Sequence, residues 1–255
     1  MSRIMNGLKV GVLVLAAALG VSGCVSAPPP ATMGMPKPYE LPDRIQYTYR
    51  WGAEPGLDLF GVRETAVRAY LESYYVASFA HSTAAGYPGF EKAAGHVQYY
   101  PVDRPDINDR TNYTETPLVG TLQFHLMSLT DTEQGFQAMV CEGHYSLNSA
   151  RPDGTYRNYG ARLPWVKLLD FVPGPDGTSL VSHAGEGPAR APQTDMFGGW
   201  TVTRHGFNTG NFDDDLACEY KFPDAPETRP RSVRETLVVP YPTLPPYPGW
   251  AVPAQ

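Results

Sequence analysis

The 255-residue chain lacks the short motifs by which catalytic and nucleotide-binding sites are most easily recognised in a sequence. It has no nucleophile elbow, phosphate-binding loop, dinucleotide fingerprint, zincin signature or Cys-x-x-Cys pair. It also lacks a basic excess, since 20 Lys and Arg face 26 Asp and Glu, for a net charge of −6. This balance argues against nucleic acid as a partner and against electrostatic adhesion to anionic lipid. The sequence predicts no cofactor.

Long apolar runs are also scarce. The one near the N-terminus, Val10–Leu19, is shorter than the about 20 residues that span a bilayer. Arg3 and Lys9 precede this run and small residues follow it, which is the order of parts in an export signal.

The segment ends in Val21-Ser22-Gly23-Cys24, which resembles the bacterial lipobox, with Val21 in place of the usual Leu. The resemblance implies a signal peptide over residues 1–23 and lipidation of Cys24, since only a thiol carries the diacylglycerol as a thioether. Two or more acyl chains, palmitate among them, hold a protein stably on a membrane, here the outer face of the bacterial cell membrane. An ordinary secretory signal that happens to hold a cysteine is the alternative.

Cysteine is rare in the mature chain, where Cys141 and Cys218 accompany Cys24. In an oxidising compartment this pair allows one disulfide, and closing a loop of about 78 residues stabilises a fold by about 4 kcal/mol in the chain-entropy model. The alternative is a free Cys141 buried in a core strand and a free Cys218 in a loop.

Proline and glycine are abundant, with 26 and 25 residues, which indicates many turns. Residues 24–56 are predicted to be the lipidated Cys and a Pro-rich tether, and 57–239 a single α+β domain. Residues 240–255 form a Pro/Tyr-rich tail that either packs on its own domain, is disordered, or docks onto a partner through its aromatic side chains.

A three- and four-residue apolar period predicts an amphipathic helix from Leu59 to about Ser78, with Asp58 as its N-cap. The polar residues Arg63, Glu64, Arg68 and Glu72 fall largely on the opposite, solvent-facing side.

A period of two then predicts a hairpin of Leu118–Leu129 and Phe136–Leu147, closed by the two-residue turn Glu133-Gln134. The apolar face of the first strand carries Leu122, Phe124 and Leu126, and that of the second Met139, Cys141 and Tyr145. These faces are expected to align. Further strands are predicted over Ile45–Trp51, Trp165–Val172, Ser179–His183, Gly199–His205 and Glu235–Val239.

The helix, the turn Tyr87-Pro88-Gly89-Phe90 and the meander resemble the nuclear transport factor 2-like cone, a superfamily with polyketide cyclase-like enzymes and exported actinobacterial lipoproteins of unknown function. The likeness covers Val62–Ala94 and Leu118–Tyr145, under half of the mature chain. It implies an α+β domain with one principal amphipathic helix packed on a twisted antiparallel sheet.

Three residues of the hairpin, His125, Glu142 and His144, fall on one face, with His125 directly opposite Glu142. A carboxylate that orients an imidazole can serve as a general base, and two His with a Glu can hold a metal. Because the apolar face is the opposite one, the pattern favours a solvated outer surface for these three, so no catalytic residue is assigned.

The run that begins at Asn211 is similar to the start of a calcium loop, with Asn211, Asp213 and Asp215 as its ligands. Leu216 stands where such a loop needs Gly, and Phe222 where it needs Glu. We therefore expect a solvated acidic loop and no metal.

The sequence thus predicts a non-enzymatic envelope lipoprotein that binds an envelope partner or a small apolar ligand. The alternatives are a cyclase- or isomerase-like enzyme with a His and a carboxylate in the cone, and a purely structural lipoprotein. Polar titratable groups that converge within an apolar pocket would favour the enzyme over the binding module. A purely structural lipoprotein would have no sizeable pocket.

Overall fold

The computed structural model describes residues 37–95, 97–100, 107–111, 113–158, 160, 163–175, 180, 187–207, 212–230 and 235–252. The signal peptide, Cys24 and the tether as far as Pro36 lie outside the described residues, as do Asn211 and, apart from Leu180, the predicted strand Ser179–His183. Of the two units into which the chain divides, the one that begins at Pro38 is described below. None of the helices in the described ranges has the length and hydropathy needed to cross a membrane.

The fold is α+β, as predicted. Within the described ranges it has three α-helices: α1 (Val62–Ala80), α2 (Phe90–Ala94) and α3 (Phe212–Glu219). The same ranges contain nine strands: β1 (Thr48–Ala53), β2 (Gln98–Tyr100), β3 (Leu118–Thr132), β4 (Gly135–Gly143), β5 (Leu147–Ala150), β6 (Tyr156–Asn158), β7 (Trp165–Pro173), β8 (Trp200–Phe207) and β9 (Thr236–Leu237).

All nine strands belong to one sheet, in the order β2-β8-β7-β4-β3-β5-β6-β9, with β1 paired to β3 beside this path. The pairs are antiparallel except for β1 with β3 and β2 with β8. β4 and β5 pair with successive parts of one edge of β3, and β1 pairs with its other edge. The sheet is therefore mostly antiparallel.

The predicted helix is α1, which begins three residues later than expected. Gly61 is its N-cap, and the Asp58 carboxylate instead accepts a hydrogen bond from the Phe60 N–H in the preceding turn. Fifteen of its 19 residues are buried. Arg68 and Glu72, which the periodicity places on the solvent side, are among them, because neighbouring segments also cover this side of the helix.

The hairpin of β3 and β4 determines where the three predicted site residues, His125, Glu142 and His144, lie. Its two-residue turn, Glu133-Gln134, is confirmed. The register then shifts by one residue at Met127, where β3 carries a β-bulge. Because side chains alternate along a strand, one extra residue reverses the faces that are aligned beyond it.

The bulge makes the predicted pairing of His125 with Glu142 wrong. His125 pairs with Cys141, and Glu142 pairs with Phe124 on the inner face of the sheet, the face that packs against α1. His144 is also buried. Neither Glu142 nor His144 lies on the solvated surface that the pattern indicates.

The apolar face predicted for β4 is the outer face of the sheet. There Cys141 and Tyr145 form a small cluster with Val166, Cys218 and Phe222, separate from the large core around α1. The predicted disulfide between Cys141 and Cys218 is confirmed, with their Cα atoms 5.5 Å apart. Both faces of β4 are therefore buried at its C-terminal end, from Val140 to Gly143.

The acidic run predicted to be a loop forms the start of α3. Three consecutive aspartates, Asp213, Asp214 and Asp215, occupy its first turn, where negative charge favours a helix. The Asp215 carboxylate accepts a hydrogen bond of 3.1 Å from the Val166 N–H of β7, which holds α3 against the outer face.

The C-terminal segment Pro242–Trp250, called the strap below, packs along the edge of β1 that β3 leaves free. The Tyr247 N–H donates to the Tyr49 carbonyl, and the Trp51 N–H donates to the Tyr247 carbonyl, at 3.0 and 2.7 Å. Trp250 at its end is only 2 % exposed. β1 is therefore flanked on both sides, by β3 and by the strap.

Candidate functional site

A row of four inner-face residues crosses neighbouring strands and brings a carboxylate into the core. Trp51 of β1 pairs with Phe124 of β3, Phe124 with Glu142 of β4, and Glu142 with Trp165 of β7. The rings of Trp51 and Phe124 stack with centroids 4.6 Å apart. Strand register thus encloses Glu142 between aromatic side chains, with none of its own side chain exposed.

One oxygen of Glu142 is firmly held. The Tyr75 hydroxyl of α1 donates to Oε2 at 2.7 Å, and the Trp165 indole N–H donates to the same atom at 2.8 Å. Burial holds the pKa of Tyr75 well above its usual value, and the negative charge of the neighbouring Glu142 carboxylate adds to this effect. The phenol therefore remains a donor at physiological pH.

Two basic side chains stand beside this oxygen at longer range. Nε2 of His144 is 3.8 Å and Nζ of Lys167 is 4.0 Å from Oε2 of Glu142. The Lys167 ammonium also lies 3.7 Å from the centroid of the Phe207 ring, and the lysine is almost fully buried. The His144 ring meets Tyr75 and Trp165 edge to face, at 4.8 and 5.3 Å. We call Tyr75, Glu142, His144, Trp165 and Lys167 the Glu142 cluster.

The other oxygen of Glu142 is not held in this way. Among the described residues no donor reaches Oε1, although the atom is buried. A buried acceptor without a partner is uncommon in folded proteins and is often a sign of a bound water or of function. Oε1 is therefore an acceptor that a further donor could use, on a carboxylate that Tyr75 and Trp165 hold in place.

A second buried carboxylate, Glu72 of α1, is held on both oxygens. The Trp51 indole donates to Oε1 at 2.8 Å, while the Trp250 indole and the Tyr87 hydroxyl donate to Oε2 at 2.7 and 3.0 Å. Burial raises the pKa of Glu72, an effect that nearby Arg68 and these three donors oppose. We call this group the Glu72 cluster.

Arg68, one helical turn before Glu72, ties the strap to α1. Its guanidinium donates to the carbonyls of Pro248 and Gly249 at 2.8 and 3.2 Å, and to that of Leu59 at 3.1 Å. It also lies 4.5 Å from the centroid of the Trp250 ring. Burial lowers the pKa of Arg68, and Glu72 opposes this shift. The Glu72 cluster is a structural anchor for the C-terminus.

His125, the third member of the predicted site, lies away from Glu142 on the other face of the sheet. Its Nε2 is 3.1 Å from Oε1 of Glu54, which also pairs with the Lys221 ammonium beyond α3. Burial lowers the pKa of His125, and Glu54 opposes this shift. The hydrogen bond from Lys221 is the main cause of a lowered pKa at Glu54. His125 therefore belongs to a separate ion-pair group.

The remaining candidate ligands do not assemble. Asp213 and Asp215 lie in α3, and no group of three or more His, Cys, Asp or Glu within the described ranges has the geometry of a metal site. A shallow, open depression of about 140 Å³ lies at the end of the strap, lined by Pro192, Gln193, Thr194, Met196, Trp250, Ala251 and Val252. None of the described residues that line this depression carries an acidic or basic side chain.

Sequence reasoning found Glu142 and His144 but missed the residues that complete their cluster. Tyr75, Trp165 and Lys167 were not singled out. The available signal was the alternation Trp165-x-Lys167, which matches the alternation Glu142-x-His144 on another predicted strand. Reading it required the strand order, which a single sequence does not provide.

Comparisons with family models, with curated proteins and with solved structures find no match for this chain. Its function must therefore be inferred from its own residues.

Proposed function

We propose that this protein is a bacterial cell-envelope lipoprotein, anchored through Cys24 to the outer face of the cell membrane. Its domain would be a non-enzymatic module that binds a small, largely apolar ligand or an envelope partner. The proposal includes a cone-like domain of the nuclear transport factor 2-like type, with α1 as its principal helix. A mostly antiparallel sheet packed on α1 is consistent with this form.

The Glu142 cluster is the observation that carries the binding proposal. A ligand site typically combines apolar walls with a few fixed polar groups. Here the aromatic rings of Tyr75 and Trp165 flank a carboxylate that they also orient, and one of its oxygens is spare. Such an arrangement suits recognition, because its polar group is held in place before any ligand arrives.

The binding proposal is tested on the full lipidated protein purified from its native membrane. Native mass spectrometry should detect a bound small molecule, or a co-purifying envelope protein, in the wild type. Glu142→Gln should reduce the small-molecule occupancy, whereas the matched variant Glu54→Gln on the other face should not. Protein that carries neither ligand nor partner would support the purely structural alternative instead.

The anchor has its own test. Cys24→Ala should leave the protein uncleaved or release it, because the thioether cannot form. Cell fractionation and intact-mass measurement would detect either outcome. A processed Cys24→Ala variant that remains quantitatively in the membrane fraction would contradict lipidation at this residue.

A cyclase- or isomerase-like activity is the second candidate, favoured by the proximity of the His144 imidazole to the Glu142 carboxylate. In this version Glu142 orients His144, which removes a proton from a bound substrate. Any compound identified by mass spectrometry would be incubated with the protein and examined for conversion. His144→Gln should abolish conversion while it leaves binding intact, and an unchanged rate would exclude this role.

A further inference from the structure

We infer that the Glu142 cluster selects a neutral ring compound that donates one hydrogen bond, such as a phenol or another cyclic alcohol, to Oε1 of Glu142. This inference rests on the proposed binding function and names the ligand class. It begins from the hydrogen bonds of one carboxylate. Oε2 already accepts two, from Tyr75 and Trp165, and no described residue donates to Oε1. What is missing at Oε1 is a donor.

The charges around Glu142 restrict the donor to a neutral group. The Lys167 ammonium already lies 4.0 Å from the carboxylate, and both side chains are buried, so the pair balances itself. A cationic ligand would place a second buried positive charge beside Lys167, and an anionic ligand would face Glu142. Either would leave a buried charge without compensation, which is costly.

The walls of the cluster indicate a flat, apolar body behind the donor. The rings of Tyr75, His144 and Trp165 are packed edge to face. Aromatic rings prefer such edge-to-face or offset contacts with a further ring. Of these residues Trp165 is the most exposed, being half-buried, and His144 shows a tenth of its side chain, whereas Tyr75 is 5 % exposed. A ligand would approach Oε1 from that side and displace the His144 ring.

Four probes with the same ring separate the possibilities: para-fluorophenol as neutral donor, para-fluoroanisole as neutral acceptor, para-fluorobenzylamine as cation and para-fluorobenzoate as anion. Their binding to the full lipidated chain in detergent is followed by fluorine NMR relaxation, with protein-free micelles as the blank. We expect the phenol to bind at least about tenfold more tightly than the other three, the usual effect of one hydrogen bond to a charged group.

Glu142→Gln should reverse the order in which the probes bind, rather than only weaken their binding. Tyr75 and Trp165 are both donors, so the amide must point its oxygen at them. Its NH₂ group then occupies the position of Oε1 and offers a donor where the wild type offers an acceptor. The phenol should bind about tenfold more weakly, and the anisole should become the preferred probe. The control variant Glu54→Gln should keep the wild-type order.

Several results would overturn the inference. Equal binding of phenol and anisole, preference for the amine or the benzoate, or no binding by any probe would each do so. The last result would mean that Oε1 is satisfied by a water molecule only. A ligand seen by native mass spectrometry would still uphold the binding function in those cases. The probe order of the wild type needs no variant, so the test stands even if Glu142→Gln folds poorly.

Discussion

The two buried carboxylates of this domain lie in one core but are held in different ways. Glu72 receives three donors distributed over both oxygens, with Arg68 a helical turn away. Glu142 receives two donors on one oxygen and none from the described residues on the other. A fully satisfied buried polar group fixes a structure, whereas a partly satisfied one retains capacity for a further partner. The difference separates an anchor from a candidate binding site.

The two sets of donors also join different numbers of segments. Those of Glu72 come from Trp51, Tyr87 and Trp250, so this one side chain joins β1, the turn before α2 and the strap to α1. Glu142, by contrast, joins its own strand only to Tyr75 of α1 and to Trp165, which stands directly opposite on the neighbouring strand. Loss of Glu72 should therefore loosen the whole domain, and loss of Glu142 should act locally.

The largest effect is expected when the basic partner of each carboxylate is removed. Arg68→Met should lower the free energy of unfolding by about 4 kcal/mol, because it leaves Glu72 buried without its counter-charge and frees the strap carbonyls. Lys167→Met should cost less, about 3 kcal/mol: it also leaves a buried carboxylate without its counter-charge, but its ion pair is 4.0 Å long, Met keeps the apolar stem and no strap carbonyl is freed. Urea unfolding of both variants measures the difference. Equal costs would contradict the distinction between anchor and binding site.

Neutralising each carboxylate tests the donor arrangement itself. Glu72→Gln must direct its NH₂ group at a Trp or Tyr donor, because donors approach both oxygens. It should cost about 3 kcal/mol. Glu142→Gln also leaves a buried cation, Lys167, without its counter-charge, but its single oxygen can satisfy both Tyr75 and Trp165, so it should cost about 1 kcal/mol less than Glu72→Gln. Thermal unfolding at fixed pH compares them, and a larger cost at Glu142 would show that Oε1 has a donor after all.

The next comparison is between Trp250 and Trp165, each of which donates its indole N–H to one of the two carboxylates. Trp250→Phe keeps a ring under Arg68 but removes the indole donor to Glu72 and leaves space behind, at a cost of about 2 kcal/mol. Trp165→Phe should cost about 1 kcal/mol, because this side chain is half-buried. Limited proteolysis adds a second readout. The strap should become cleavable in Trp250→Phe and stay protected in Trp165→Phe, and cleavage in both would argue against local action at Glu142.

Much of this architecture follows from sequence patterns, and the failures share a physical cause. Alternation found the hairpin and its turn, and cysteine arithmetic found the disulfide. The bulge at Met127 has no periodic signature. It reversed the face assigned to Glu142, because one inserted residue changes which side chains are opposite each other.

The second failure concerns the helix. Periodicity assigned Arg68 and Glu72 to solvent, as charged residues on one side of a helix usually are. Here that side is covered by β1 and the strap, and the partners that stabilise the charges lie up to 181 residues away in sequence. Contacts at such separations leave no local trace. For the same reason the ring of donors around each carboxylate could not be predicted.

The smallest effect is expected at His125, on the outer face. Burial lowers its pKa, so the folded state binds a proton less readily than the unfolded chain. The resulting stability is fully present above pH 6.5, the ordinary value, and is lost as the pH falls from there through the lowered folded pKa. His125→Gln should remove this slope and change the free energy of unfolding by less than about 1 kcal/mol at pH 8.

Urea unfolding of the wild type and of His125→Gln measures how the free energy of unfolding depends on pH. The range of about pH 5 to 8 brackets the ordinary His pKa near 6.5. The same variant sharpens the comparison of the two carboxylates. Because the bulge directs His125 away from Glu142, para-fluorophenol should bind His125→Gln as it binds the wild type. A change in probe binding would mean that the two faces communicate through β3, and His125 would then belong to the site that the hairpin pattern predicts.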